Sequence, residues 1–319
     1  MYHRFENSVN GGSVSGQEFS RQVEEIKRSF KVLTLGEFFR QYREGRKDWR
    51  GTCVITADDG YRDFYDIAFP ILRQHGIPAT LFVTTGVLNQ KIWFWWDIIE
   101  YLFKQTSMEA ITFKSEDRVF DLCFSTQKDR RKSWVIIANY CTGISTFKKN
   151  ILVENLAKAV RVKLPVIPPL EYQGCTWKEL NEMAGEGITF GPHTVTHPIL
   201  TRCEPDEWKY EIVQSRKELS ALKNGYVDVF AYPNGDQHDY NEQILAILET
   251  SGFEGALVAY YYDFKHERRF TIRRCTPSED IEEFLWTLWG GEYLWKRVQD
   301  FIDSKIESVK AIFGKTDHN

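Results

Sequence analysis

The chain has 319 residues, 42% of them hydrophobic and 27% charged, enough for one barrel-sized domain or two smaller ones of ordinary globular composition. A net charge of −4 gives no basic footprint for nucleic acid. Six scattered cysteines without a CxxC argue against a zinc ribbon and a disulfide-dense scaffold.

Phe19, Val23, Ile26 and Phe30 recur at helical spacing, and Leu35, Phe38, Phe39 and Tyr42 predict a second helix. A strand over 53–56 ends at Asp58-Asp59. Asp63 to His75 predicts a helix closed by Gly76 and followed by Pro78. Residues 79–83 form a short apolar run, as a buried parallel strand should. Residues 52–84 therefore read as a β-α-β unit. From about 90 to 172 the rhythm breaks, with Trp93-Phe94-Trp95-Trp96, a hairpin around 111–124, and an exit marked by Pro165, Pro168 and Pro169. This stretch is read as a helical insertion on the same domain.

The alternation then resumes: helix 177–184, strand 188–190, helix 205–223, strand 227–232, helix 241–251 and strand 255–259. Such alternation implies parallel strands, in an open sheet or a barrel. The tail from Asp280 to Phe313 predicts further helix, divided by Gly290-Gly291. Docking on the body is the simpler reading of its apolar face; a partner or membrane surface is the alternative. Cys53 and Cys123 lie in apolar runs and read as free buried thiols. The start, Met1-Tyr2-His3-Arg4-Phe5, carries no apolar signal core, and no apolar run is long enough to span a bilayer. The expected location is therefore the cytoplasm.

Two constellations carry chemistry. Asp58 and Asp59 sit at the end of a strand, where Gly60 breaks it. Adjacent strand residues point to opposite faces, so both carboxylates reach one site only where the strand gives way to a loop. The end of a parallel strand is also where barrel and open-sheet active sites form. Alone, Asp-Asp-Gly reads equally well as a helix cap with a solvated neighbour. His193 and His197 are four residues apart, bracketed by Pro192 and Pro198, with a β-branched Thr-Val-Thr between them. That favours a loop or single turn. Two imidazoles and one carboxylate suffice to hold a catalytic divalent metal, leaving the second carboxylate as a base.

Thr56-Ala57-Asp58-Asp59-Gly60, His193-Thr194-Val195-Thr196-His197 and Phe230-Ala231-Tyr232-Pro233-Asn234-Gly235 resemble, in order, three motifs of the polysaccharide deacetylases (carbohydrate esterase family 4, the NodB homology domain). Tyr2-His3, residues 76–80 and Trp95-Trp96-Asp97 also resemble the branch that includes exopolysaccharide N-deacetylases. The resemblance implies that Asp59, His193 and His197 hold a divalent metal, most often zinc, and that Asp58 is the general base. It also implies that Asn234 offers a backbone N–H to the oxyanion and that Arg274 orients Asp58, although Arg274 reads equally well as half of a structural ion pair. Tyr61, Tyr232 and Pro233, within or beside the matched motifs, are expected to contact substrate. Ala57 replaces the family's usual aromatic, and the late Leu-His motif that supplies the general acid in many members has no counterpart. His238 and His266 are the nearest replacements, and both read better as surface histidines.

The expected architecture is an α/β, distorted (β/α)7-type barrel over residues 1–285, with the insertion at about 90–172 and a C-terminal helical extension over 286–319. The expected activity is metal-dependent removal of N-acetyl groups from an amino sugar in a glycan or glycan precursor. Two rivals stand beside it: hydrolysis of a small non-sugar amide, and a catalytically inactive glycan-binding barrel.

Overall fold

A computed structural model describes residues 1–5, 13–115, 118–222, 224–259 and 268–291. The chain divides into two compact units, Met1–Arg274 and Cys275–Asn319. In the second, the helix Ile281–Leu288 starts at Asp280, whose carboxylate accepts from the N–H groups of Glu282 and Glu283. Residues 292–319, on which most of the expected helical tail falls, lie outside the described residues.

The first unit is a distorted (β/α) barrel. Its principal strands are β1 (Thr56–Ala57), β2 (Ala79–Val83), β3 (Ile188–Pro192), β4 (Val229–Ala231), β5 (Gly255–Val258) and β6 (Ile272–Arg273). They form two parallel ladders, β1-β2-β3 and β4-β5-β6. The ladders meet at Phe190, whose N–H donates to Gly225 O (2.5 Å) and whose carbonyl accepts from Val227 N (3.0 Å). At the opposite seam a side chain makes the link: Arg274, just past β6, reaches Thr56 and Asp58 at the end of β1. Tyr2 runs alongside β1, donating to Thr56 O and accepting from Asp58 N, both at 2.9 Å. That pairing carries His3 to the mouth of the barrel.

Side-chain alternation in β4 divides the core. Val229 and Ala231 pack inward with Phe39, Phe82, Leu257 and Ile272. Phe230 points the other way, onto Trp208, Ile212, Ile244 and Leu248 of the covering helices. The strand expected at 53–56 changes neighbour along its length, so Thr52–Cys53 pairs with Lys31–Val32 and Thr56–Ala57 pairs with β2. Two expected helices contain a π-helical turn, Phe64–Ala68 before Phe69–His75, and Tyr210–Gln214 between Pro205–Lys209 and Ser215–Leu219. The first ends at Gly76 in the left-handed conformation, φ 65°, as the sequence predicts.

The insertion has its own apolar centre. Helices Trp95–Gln105, Gln127–Cys141 and Thr146–Ala159 and the antiparallel pair Ala110–Ser115/Arg118–Cys123 bury Leu102, Phe103, Phe120, Phe124, Ile137 and Leu152 together. None of the six cysteines is in a disulfide among the described residues, but Cys53 and Cys123 are half-buried where their apolar runs suggested full burial; Cys141 and Cys175 are the buried ones. Among the described residues, no helix is long and apolar enough to cross a membrane.

Candidate active site

The site forms where β1, β3 and β4 end. Asp59 and Gly60 adopt positive φ, 75° and 87°, and this turn separates the two carboxylates. Asp58 meets Arg274: Nη1 donates to Oδ1 at 2.6 Å and Nη2 to Oδ2 at 2.7 Å. Both side chains are buried. Burial alone would raise the Asp58 carboxyl, but the Arg274 guanidinium and the nearby imidazoles outweigh it and hold the carboxyl below its ordinary value.

Asp59 faces the histidines. Its Oδ1 lies 3.6 Å from His193 Nε2 and 3.3 Å from His197 Nε2. Burial opposes its ionisation, and the two facing imidazoles prevail, holding the carboxyl well below the usual range. The histidine pair is set by a short loop after β3. Thr194 and His197 both have positive φ, 65° and 58°. Thr194 Oγ1 accepts from His197 N (3.0 Å) and donates to His193 O, turning both rings to one side. His193 N donates to Val83 O, and its Nδ1 sits 2.8 Å from Ala231 O. A carbonyl only accepts, so Nδ1 carries the proton and Nε2 is the ring nitrogen turned toward Asp59 and His197.

A residue absent from the sequence reading holds this loop. Glu211, buried in the π-helical turn, accepts from Val195 N (2.8 Å), Thr196 N (2.9 Å) and Thr196 Oγ1 (2.7 Å). π-Helical turns frequently accompany functional sites, but the 3.6-residue period gave no sign of this one.

The donor set fits a divalent cation. One oxygen of Asp59 and one nitrogen each of His193 and His197 lie within 4.8 Å of one another. Asp59 Oδ1 is buried and accepts no hydrogen bond, and the two Nε2 atoms are only 3.1 Å apart. A buried, unsatisfied carboxylate oxygen facing two imidazole nitrogens is an arrangement that a cation relieves.

The cleft above these groups encloses about 200 Å³ and is lined by His3, Asp58, Asp59, His193, His197, Tyr232 and Asn234 from the barrel, and by Trp95, Trp96, Thr142 and Lys149 from the insertion. Asn234 has φ 58°. Tyr232 lines the cleft, and its hydroxyl donates to Phe270 O at 3.1 Å. Arg274 and Pro233 lie outside the lining; Arg274 acts on the site through Asp58.

Tyr61, expected to touch substrate, is placed behind the wall instead. Its hydroxyl donates to Asp97 Oδ2 (2.6 Å) and accepts from Trp96 Nε1 (2.8 Å), and the Arg4 guanidinium lies 4.0 Å over its ring. Trp96 in turn meets the His197 ring edge-on at 4.9 Å, so Tyr61 buttresses His197 from behind. His238 is exposed and outside the lining, and His266 lies outside the described residues. His3 and Lys149 are the cleft groups that reasoning from motifs did not assign to the site. The resemblance of Tyr2-His3 to the N-deacetylase branch was the available signal for His3.

The family model described as polysaccharide deacetylase matches residues 45–117 and 137–256. The interruption falls within the insertion. A poly-beta-1,6-N-acetyl-D-glucosamine N-deacetylase of Staphylococcus epidermidis is 42% identical over 79 residues, 24% of this chain and 27% of that protein. The protein of the same name from Staphylococcus aureus (strain MSSA476) is 28% identical over 173 residues, 50% of this chain and 59% of its own. The matches thus take in less than two thirds of these relatives' lengths. Among solved structures, the Streptococcus pyogenes deacetylase PplD, in complex with acetate, superposes with a TM-score of 0.56 at 19% identity, covering 90% of this chain and 95% of that one. IcaB from Ammonifex degensii gives 0.55 at 17% identity, covering 90% and 94%. At these identities the likeness establishes a shared fold.

Proposed function

The chain belongs to the polysaccharide deacetylase family, and we propose that it is a metal-dependent hydrolase removing N-acetyl groups from an amino sugar of a glycan or glycan precursor. The observation that carries the proposal is the convergence of Asp59, His193 and His197 beside an ionised Asp58 at the floor of one cleft. Asp59, His193 and His197 would hold a divalent cation, with zinc expected, which when bound would supply Lewis acidity to the acetamide carbonyl and lower the pKa of water there.

The protein's own groups do the rest. Asp58 accepts the proton of the attacking water, and Arg274 fixes the orientation of its carboxylate. Ala231 O keeps His193 in the tautomer that points a lone pair at the site. The Asn234 N–H is the proposed donor to the developing oxyanion. Water's oxygen bonds the carbonyl carbon, the C–N bond breaks, and the proton taken up by Asp58 is returned to the departing nitrogen. The products are acetate and a free amino sugar.

The test is acetate release from N-acetylglucosamine oligomers, against simple acetamides, by protein of measured metal content. Release from the oligomers, with one metal per chain that is lost in His193→Ala, is the expected result. A metal-loaded chain that releases no acetate from any acetylated sugar overturns the proposal.

A further inference from the structure

The helical insertion sends one charged side chain into the cleft. Lys149, on the helix Thr146–Ala159, is only 4% exposed and lines the cavity beside Trp95. Its Nζ lies 5.4 Å from the Trp95 ring centroid. Trp95 meets Trp96 edge-on at 5.4 Å, and Trp96 meets the proposed ligand His197 at 4.9 Å. Lys149 thus stands two rings away from the metal-binding residues, at a neighbouring position of the same cleft.

Its electrostatic surroundings are unusual for a buried lysine. Among the described residues no carboxylate comes within ion-pair range of it; its charged and ionisable neighbours are Arg202 and the thiols of Cys141 and Cys203. The cleft carboxylate Asp58 is already matched by Arg274. Burial disfavours the ammonium form and lowers its pKa, and contact with one indole face offsets only part of that cost. An unpaired, buried ammonium facing a cavity is stabilised by an anion delivered through the cavity.

We propose that Lys149 is a receptor for a carboxylate or phosphate group carried by the substrate beside the acetylated sugar, so that the preferred substrate is an anionic, N-acetylated glycan or sugar phosphate. The inference rests on the deacetylase reading for its acetylated sugar, while the anion site stands on Lys149, Trp95 and the cavity. Trp95 and Trp96 supply apolar faces for sugar rings next to that charge.

The experiment titrates the full, zinc-supplemented chain with glucuronate, glucose 1-phosphate and glucose, followed by NMR or calorimetry. These probes carry no acetyl group, so turnover plays no part. The wild type is expected to bind at least one anionic probe about tenfold more tightly than glucose, the scale of a single charge-assisted contact. Preference for glucuronate assigns a uronate, and preference for the phosphate assigns a phosphorylated sugar. Lys149→Met, which keeps the apolar stem, should abolish the preference, and Lys149→Arg should keep it. Wild type without a preference overturns the proposal, as does a preference that persists in a folded Lys149→Met, which would locate the anion on the metal. A chain that shows the Lys149-dependent preference but releases no acetate retains the receptor and loses the proposed activity. Acetate release without that preference has the opposite meaning.

Discussion

Replacing Arg274 by Met should destabilise the protein in a manner that depends on pH. The guanidinium makes two short hydrogen bonds to Asp58, at 2.6 and 2.7 Å, between residues 7% and 2% exposed. Removing one partner of a buried pair leaves the other charge uncompensated, at a cost of about 3–5 kcal/mol. The Asp58 carboxyl is held below its ordinary value in the folded protein. Its contribution is therefore present at neutral pH and lost as pH falls below about 4. In Arg274→Met, burial acts with less opposition and raises the carboxyl, so Asp58 takes up a proton on mild acidification and the penalty fades. Urea unfolding with excess EDTA, which removes metal linkage, should show a deficit of about 3–5 kcal/mol at pH 8 that shrinks toward pH 5. Asp58→Asn combined with Arg274→Met should cost at least about 2 kcal/mol less than the sum of the single variants. A deficit equal at pH 5 and pH 8, or strict additivity, would refute the argument that the two side chains form one buried charge pair.

Three further outcomes are expected. Asp58→Asn should retain the metal while deacetylation falls by roughly 10²–10⁴-fold, because an amide does not accept the proton; metal analysis beside acetate release checks both halves. Glu211→Leu strips the acceptor from Val195 N, Thr196 N and Thr196 Oγ1, which should cost about 2–4 kcal/mol and weaken metal affinity roughly 10–100-fold as His197 loses its support, measured by unfolding and by chelator competition. Burial pushes the Asp97 carboxyl up to about 8, so the group is protonated in the folded protein where the unfolded chain ionises. Stability should then decline by about 1.4 kcal/mol per unit as pH rises from 4 to 8, and urea unfolding should show that slope removed in Asp97→Asn.

What the sequence made legible was whatever is written in short stretches. The apolar run 79–83, the Gly76 cap and the four-residue spacing of His193 and His197 each carry their meaning within a few residues, and β2, the helix end and the paired imidazoles follow. The parts that escaped are long-range. Glu211 reaches the histidine loop from a π-helical turn that no 3.6-residue pattern reveals. His3 enters the cleft because Tyr2 pairs with a strand more than fifty residues away. Lys149 arrives on a helix whose fold depends on the insertion's own core. Tyr61 looked like a substrate contact from its place beside the aspartates, but the Asp97 and Trp96 side chains draw its hydroxyl away from the cleft.

The separation of the adjacent aspartates into base and ligand is a property of the backbone. Asp58 still follows the strand, with its N–H donating to Tyr2 O and its carboxylate on Arg274. Had the strand continued, Asp59 would have pointed to the opposite face. Its φ of 75° instead turns the carboxylate onto the histidines, and Thr84 N holds the turn by donating to Asp59 O at 3.2 Å. The next position favours glycine, since Gly60 has φ 87° and a Cβ there would stand 3.0 Å from Val83 Cγ1. Aspartate is among the residue types that tolerate positive φ best. The side chain suited to bind the cation is thus also suited to make the turn that aims it, so Asp59→Glu should fail on both counts: a longer carboxylate, and a backbone conformation less readily adopted.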